Sequence, residues 1–291
     1  MKRRFPFLVL ILTFTLVWAP LAPAQDAPAE PRVTILLSND DGYDAPGLKA
    51  LAEALAPMAQ LVVSAPATDQ SGTGHGITYR EPIMVNRIDR DGGTPWYSIA
   101  ARPATCVRLG IEALVTTKPD LVISGINRGE NLGVATFLSG TLGAAREAAI
   151  GGLPAVAVSM GGNNGDDYKA TAAYVRRLVE QLQAQKLLHA GFLLNVNVPA
   201  GVARSIKGVR ITKLSLKAPQ QGYERRTSPR GQLYFWSTYQ PVTDDAEGTD
   251  VHAFEQGYIT VTPLSLDNTN TAEMEALRTL TNTPAAKTAV P

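Results

Sequence analysis

The sequence predicts a protein of the α/β class, with a mostly parallel sheet that is covered by helices on both faces. Two observations carry this prediction. From residue 32 onwards, short apolar strands alternate with amphipathic helices, which is the pattern of a parallel sheet with right-handed crossovers. From about residue 216 the alternation ends, and aromatic and Thr-rich segments predict a β-rich extension.

The predicted elements follow one another in a regular order. The first strand, 33–37, is a continuous apolar run, and the helix 47–55 after it carries leucines at helical spacing. Pro57 ends this helix because proline cannot continue one. Later strands are predicted at 60–64, 77–79, 83–85, 96–99, 121–124, 155–159, 192–196, 233–239 and 257–263, and later helices at 104–115, 141–150 and 168–185.

The two ends of the chain have their own composition. A basic start, an apolar run and small residues at Ala22 and Ala24 predict a cleavable signal peptide. The apolar run is too short to span a membrane comfortably, so we expect a periplasmic or secreted protein with no stable membrane anchor. The predicted segments are a signal peptide (1–24), a linker (25–31), an α/β core (32–215), a β-rich extension (216–267) and a C-terminal tail (268–291) with a helix fragment.

Composition excludes several classes of site and partner. Cys106 is the single cysteine, so an intrachain disulfide and a four-cysteine zinc site are both impossible. We expect Cys106 to be a small buried residue on a helix. The formal net charge of +1 is near neutral, so there is no electrostatic reason to expect a nucleic acid polymer as partner.

Two adjacent carboxylates, Asp40 and Asp41, follow the first predicted strand and precede Gly42. Gly42 allows the sharp turn that brings both acids to the carboxyl end of the strand. Two neighbouring carboxylates repel each other unless a cation or a set of donors neutralises them. Taken alone, the pair fits either a metal site or a solvated turn that caps the next helix.

Polar loops follow the other strands as well. Ligands of an open parallel sheet bind outside the carboxyl ends of its strands, so we expect these loops to converge. Their donors are mostly oxygen atoms, which suit Mg²⁺, Mn²⁺ or Ca²⁺. The loop residues are Asn39 beside the two acids, then Asp69, Ser71, Thr73 and His75, then Ser124, Asn127 and Asn131, and finally Ser139, Gly140 and Thr141.

The segment Ser139-Gly140-Thr141 opens a predicted helix. Free backbone N–H groups and the positive end of the helix dipole make such a start a cradle for an anion, although an ordinary capped helix has the same pattern. A cation site beside an anion cradle indicates phosphate-ester hydrolysis, in which the metal polarises the phosphoryl oxygens and activates a water. His75 is either a phosphate contact or a bystander of this loop cluster.

Competing motifs are incomplete. The segment 72–76 reads Gly-Thr-Gly-His-Gly, but Ile77 stands where a dinucleotide fingerprint needs its third glycine. Neither a P-loop nor a nucleophile-elbow motif occurs in the sequence. An aspartyl-phosphate phosphatase would separate its two acids by one residue, and the adjacent pair disfavours it.

Four long motifs resemble the SurE family of metal-dependent 5′/3′-nucleotidases. They read SNDDGYDAPGLKAL, SAPATDQSGTGHGIT, PDLVISGINRGENLG and SGTLGAAREAAIGGLPAVAVS, and the resemblance runs from about residue 33 to 264. It implies a Rossmann-like three-layer α/β/α sandwich with a C-terminal β-rich arm. The arm would exchange between subunits and serve oligomerisation, giving a homodimer or homotetramer.

The resemblance also implies an activity and a site. The activity is hydrolysis of nucleoside monophosphates, or of other phosphomonoesters, to free phosphate. One Mg²⁺ or Mn²⁺ per subunit would be held by Asp40, Asp41, Ser71 and Asn127. The implied phosphate contacts are Asn39, Ser139, Gly140 and Thr141, to which we add Asn131 from the converging loops. Asp40 and Asp41 are the predicted catalytic residues, since either can orient or deprotonate the attacking water.

Some positions depart from the pattern of the family. Members typically have Asp where Thr105 and Ala135 stand, and Tyr where Leu138 stands. Arg102 is either an added phosphate contact or a surface residue at a helix start. These departures border the predicted pocket and leave substrate preference open. The alternative to an enzyme is a non-catalytic or weakly catalytic protein that binds nucleotides or phosphate through a metal.

Overall fold

The computed structural model describes residues 32–281, apart from residues 91, 163, 202–205 and 244. The predicted signal peptide (1–24) and the predicted linker (25–31) lie outside the described residues, as does the end of the predicted tail. The described part of the chain forms an α/β sandwich with one additional hairpin.

Most of the described elements follow the predicted alternation, but no strand forms at 77–79, and the helix Asp250–Glu255 was not predicted. The strands are β1 (Val33–Ser38), β2 (Ala59–Pro66), β3 (Val85–Ile88), β4 (Trp96–Ile99), β5 (Leu121–Arg128), β6 (Ala155–Met160), β7 (Leu193–Val198), β8 (Val209–Ile211), β9 (Gln220–Thr227), β10 (Leu233–Gln240) and β11 (Ile259–Pro263). The helices are α1 (Pro46–Leu55), α2 (Pro103–Leu109), α3 (Gly140–Ile150), α4 (Gly165–Ala184), α5 (Asp250–Glu255) and α6 (Thr271–Thr281).

The main sheet has the strand order β3-β4-β2-β1-β5-β6-β7-β11-β8 within the described residues. The strands from β4 to β7 run parallel to one another, while β3 pairs antiparallel with β4 and β11 pairs antiparallel with β7. This topology confirms the predicted mostly parallel sheet. The strand order reverses at β1, and such a switch point is where open α/β sheets bind ligands.

Side chains of β1 alternate between the two faces of the sheet. Ile35 and Leu37 belong to the core cluster that includes residues of α1 and α4, whereas Leu36 packs with residues of α2 and α3. All three side chains are fully buried. Because successive residues of a strand point to opposite faces, this apolar run covers both helix layers and confirms the three-layer arrangement.

The predicted β-rich extension, 216–267, divides into two parts. β9 and β10 form a separate two-stranded antiparallel sheet. The chain then returns to the core, where β11 enters the main sheet between β7 and β8. Apolar packing explains why the chain returns to the core, because Ile259 and Val261 are only 3% and 5% exposed in the main core cluster.

Two smaller predictions concern the helices. The predicted helix 104–115 is shorter than expected, since α2 ends at Leu109 and a π-helical turn, Gly110–Leu114, follows. Cys106 is fully buried in α2, as predicted, and burial raises the pKa of its thiol well above the usual range. Between residues 32 and 281, as far as they are described, the helices are too short or too polar to cross a membrane.

Candidate metal and phosphate site

The turn after β1 lies directly against the loop that follows β2. Gly42 has a φ of +104°, which an L side chain rarely adopts, and the turn around it passes close to the backbone at Thr68. The backbone N–H of Tyr43 donates to the carbonyl of Pro66 at 2.8 Å, and that of Gln70 donates to the carbonyl of Asp40 at 2.8 Å. The two loops therefore hold each other in place at the switch point of the sheet.

Asp40 contacts the start of α3. Its Oδ1 accepts a hydrogen bond of 2.6 Å from the Oγ1 of Thr141, and its side chain is only 3% exposed. A Cβ on Gly140 would lie 2.8 Å from both Cβ and Oδ2 of Asp40, so only glycine permits this approach. Ser139 caps the helix, because its Oγ accepts from the N–H of Leu142 at 3.2 Å. The predicted anion cradle thus lies beside the first carboxylate.

Asp41 faces the end of β5. Its Oδ2 accepts a hydrogen bond of 3.0 Å from the backbone N–H of Arg128. Burial raises the pKa of Asp41 to about 6, and the neighbouring charges of Asp40 and Asp69 add to the effect, while the Arg128 bond opposes it. Burial also raises the pKa of Asp40, against the hydrogen bond from Thr141. A bound cation would favour the charged form of both carboxylates.

Ser71 is exposed and oriented by Asp69. Its backbone N–H and its Oγ both donate to Oδ1 of Asp69, at 2.8 and 2.6 Å. These bonds lower the pKa of Asp69. Because the hydroxyl uses its proton in this bond, its oxygen lone pairs remain available to a cation. Asp69 was among the loop residues expected to converge here but not among the predicted metal ligands, although it lies two residues before Ser71 in the same polar loop.

The two asparagines after β5 have different partners. Asn127 donates from Nδ2 to the carbonyl of Gly129 at 2.7 Å, so its Oδ1 is the atom suited to a cation. The Gly125–Ile126 peptide bond just before it is cis. Asn131 instead donates from Nδ2 to Oγ of Ser159 at 2.8 Å and is buried. Its amide nitrogen is committed to β6, and the assignment of Asn131 to substrate binding stays a prediction.

Buried oxygen atoms without a hydrogen-bond partner mark this edge of the sheet within the described residues. They are Oδ1 of Asn39, Oγ of Ser38 and Oγ of Ser124. Ser38 and Ser124 are paired in the register of β1 and β5, and Nδ2 of Asn39 donates to the carbonyl of Gly42 at 2.9 Å. A buried oxygen without a hydrogen bond costs free energy of folding. This edge therefore fits a site in which a bound cation, anion or water supplies the missing partner.

A cavity of about 320 Å³ opens beside the acids. Its lining includes Asp41, Asp69, Arg128 and Tyr168. Arg128 brings a positive charge to a site whose other charged groups are acids, and the sequence interpretation missed both Arg128 and Tyr168. The signal for Arg128 was its place inside the motif GINRGEN. The described residues contain no cluster of three or more His, Cys, Asp or Glu arranged for a metal.

His75 belongs to the loop after β2, and Arg102 is the residue directly before α2. Both lie toward α2 and α3. Nε2 of His75 is 2.7 Å from Oε2 of Glu147 in α3. Arg102 is exposed, and its Nη1 lies 2.5 Å from the position that a Cβ on Gly76 would take. Thr105, one of the departures from the family, accepts at Oγ1 from the backbone N–H of Thr78 at 2.8 Å.

The two remaining departures lie on the turn before α3. Leu138 is 54% exposed. Ala135 lines a cavity of about 210 Å³ together with Tyr239 of β10 and Phe254 of α5. An Asp at position 135 would therefore place a charge in this cavity, where this chain has the uncharged side chain of Ala135.

Comparison with known proteins places the chain among proteins of one type. A family model described as "Survival protein SurE" matches residues 35–221. A "5′-nucleotidase SurE" of Desulfitobacterium hafniense is 41% identical over 247 residues, which cover 84% of this chain and 95% of that protein. A protein of the same name from Natranaerobius thermophilus is 40% identical over 243 residues, or 81% of this chain and 94% of that protein. The crystal structure of the SurE protein from Aquifex aeolicus has a TM-score of 0.74 and 36% identity, and the match covers 86% of this chain and all of that one.

These relatives correct one prediction, the periplasmic or secreted location. The match takes up 95% of the Desulfitobacterium protein and 94% of the Natranaerobius protein. It therefore leaves almost no room in them for a counterpart of the predicted 24-residue leader, and on this comparison the prediction is wrong. It depended on the composition of residues 1–24 alone, which lie outside the described residues.

Proposed function

This chain belongs to the SurE family, and from that premise we propose that it is a divalent-metal-dependent phosphomonoesterase that hydrolyses nucleoside monophosphates to nucleoside and phosphate. The proposal covers both 5′ and 3′ phosphates. The observation that carries it is the contact between Asp40 and Thr141, because this contact places one of the two adjacent carboxylates at the start of α3. A cation site and an anion site in contact are what phosphate-ester hydrolysis requires.

The donor set fits one Mg²⁺ or Mn²⁺ ion. Asp40, Asp41, Ser71 and Asn127 would hold it with carboxylate, hydroxyl and amide oxygens, the donors that hard cations prefer. Divalent-metal dependence is general in the SurE family. When bound, the ion supplies Lewis-acid polarisation of a phosphoryl oxygen and acidifies a coordinated water.

Residues of the chain would bind the phosphate and activate the water. The helix start at Ser139, Gly140 and Thr141 would bind the phosphoryl oxygens, helped by the helix dipole. Asn39 adds an amide at the same edge. Asp40 and Asp41 would orient the attacking water and accept its proton.

The test is release of inorganic phosphate from AMP with Mn²⁺ or Mg²⁺ supplied. We expect EDTA to abolish the release and re-addition of metal to restore it. Asp40→Asn preserves the shape of the side chain but removes its charge, so the rate should fall about 100-fold or more. A variant that retains most of the activity would overturn the assignment of Asp40 to the metal site.

A panel of substrates distinguishes the enzyme from the alternative, a binding protein. It would include 5′ and 3′ nucleotides, sugar phosphates and short polyphosphate, each with Mg²⁺ and Mn²⁺. If the wild-type protein binds AMP by calorimetry but releases no phosphate from any substrate, the enzyme proposal fails. The departures at Thr105 and Ala135 would then be the first positions to restore to Asp.

A further inference from the structure

The loop that carries Ser71 does not end at the metal site, since it continues onto the surface of α3. The backbone N–H of Gly74 donates to the carbonyl of Leu138 at 2.9 Å. A Cβ on Gly143 would lie only 2.3 Å from the carbonyl oxygen of Gly74. The loop backbone therefore rests directly on the first turns of the helix, at a place where no larger residue than glycine fits.

One residue further, a half-buried side-chain contact connects the same two elements. Nε2 of His75 is 2.7 Å from Oε2 of Glu147, and Nε of Arg108 in α2 donates to Oε1 of Glu147 at 2.6 Å. The Glu147 side chain is 9% exposed, and that of His75 is 24% exposed. Both carboxylate oxygens have a partner, which is the condition for a buried carboxylate to be tolerated.

The His75–Glu147 contact lies close in sequence to the residues that are proposed to bind the cation and the phosphate. His75 lies four residues after Ser71 in the loop, and Glu147 lies six residues after Thr141 in α3. In the proposed site the loop and the helix contribute through different residues: Ser71 would bind the cation, and Thr141 donates to Asp40. Their separation must stay constant if the cation and the phosphate are to be bound together.

We propose that His75 and Glu147 are positioning residues, whose contact holds the Ser71 loop against α3 and so maintains the geometry of the metal site. The inference rests on the proposed function, because it takes Ser71 as a metal ligand. This role requires no contact between either residue and the reacting atoms. A purely structural role for the pair would lower stability but leave metal affinity unchanged.

The experiment measures Mn²⁺ binding to the full chain without substrate, by the electron paramagnetic resonance signal of free Mn²⁺. We expect His75→Ala to weaken Mn²⁺ binding about 3-fold to 10-fold. His75→Gln retains a donor for Glu147 and should restore binding to within about 2-fold of wild type. Because the glutamine variant keeps the contact, its Mn²⁺ affinity can still be measured if the alanine variant folds poorly.

Two control variants separate positioning from stability. Arg108→Ala removes the other partner of Glu147 but leaves the loop attached, so Mn²⁺ affinity should stay within about 2-fold of wild type. His189→Ala removes an exposed histidine far along the chain and should change nothing.

The outcomes distinguish this inference from the proposed function. If the wild-type protein binds Mn²⁺ and His75→Ala binds it equally well, the positioning role is refuted while the metal site stands. Equal weakening by His75→Ala and Arg108→Ala would also refute it, since the pair would then act through stability. If the wild-type protein binds no Mn²⁺, the proposed metal site fails first, and the inference fails with it.

Discussion

At the scale of single residues, the candidate site depends on positions where a side chain is absent. Gly140 allows α3 to approach Asp40, and a Cβ there would overlap the carboxylate at 2.8 Å. The contact brings the Thr141 hydroxyl within 2.6 Å of Asp40. Burial raises the pKa of Asp40, and the hydrogen bond from Thr141 partly compensates for this cost. The geometry of the candidate site therefore depends on this glycine as well as on the acid.

We expect Gly140→Ala to damage the site because the new methyl group must displace Asp40. The free energy of unfolding should fall by about 1–3 kcal/mol, and Mn²⁺-dependent phosphate release from AMP should fall at least about 10-fold. The measurements are urea denaturation and the phosphate-release assay.

Gly165→Ala is the matched control for this variant. Gly165 is the first residue of α4, as Gly140 is of α3, but a Cβ on it meets no atom within 4 Å. Its stability should be unchanged or higher by about 0.5 kcal/mol. Equal effects of the two substitutions would show that loss of glycine at a helix start, and not contact with Asp40, is the cause.

At the scale of elements, α3 links the site to the rest of the protein. Its first turn meets Asp40, its second turn meets Gly74, and Glu147 pairs with His75 and Arg108. The hydrogen bond from His75, followed by that from Arg108, lowers the pKa of Glu147 below its ordinary value of 4.5. A lowered carboxylate pKa means that the charged form stabilises the folded state.

Glu147→Gln should therefore reveal a pH-dependent loss of stability. The contribution of the wild-type carboxylate is fully present above pH 4.5 and is lost as the pH falls through the lowered folded-state pKa. At pH 6 we expect the variant to be about 1–3 kcal/mol less stable, and the difference from wild type should shrink at pH 4. Urea denaturation at the two pH values measures it.

Glu180→Gln is the control for this prediction, since Glu180 makes only a surface pair of 3.0 Å with Arg176 in α4. Its unfolding free energy should change by less than about 0.5 kcal/mol at either pH. A difference between wild type and Glu147→Gln that stays constant from pH 6 to pH 4 would contradict the electrostatic explanation.

At the scale of the whole molecule, the hairpin of β9 and β10 exposes several large apolar side chains. Tyr223, Phe235, Trp236 and Tyr239 are 78%, 53%, 59% and 54% exposed. An isolated two-stranded sheet is marginally stable in water, and exposed apolar patches of this kind mark interaction surfaces. We therefore keep the prediction that the hairpin joins subunits into a homodimer or homotetramer.

The double variant Phe235→Asp/Trp236→Asp tests this prediction. The two residues are neighbours on a strand and point to opposite faces, so one change affects each face of the hairpin. Light scattering after gel filtration should show an oligomer for the wild-type protein and a smaller species for the variant. Ile150→Asp, at an exposed apolar residue on α3, should leave the mass unchanged. A monomeric wild-type protein would contradict the prediction.

Much of this fold could be predicted because its signals are local. Apolar runs such as 33–37 and helical leucine spacing in 47–55 are readable within one element. The convergence of the polar loops followed from a rule of parallel sheets, that strand ends meet at one edge. The place of β11 was not predictable in this way, because its partners, β7 and β8, are chosen by packing across the sheet.

The candidate site, like the fold, was predictable only in the features that depend on local sequence pattern. Residue types and their order along the chain were enough to indicate the fold class, the oxygen donors and the SurE family, since each of these depends on local pattern. Folding alone assigned partners: His75 to Glu147 across 72 positions, Asn131 to Ser159, and Asp69 and Arg128 to the lining of one cavity. Such pairings follow from how helices and loops pack, and no periodicity of the chain encodes them.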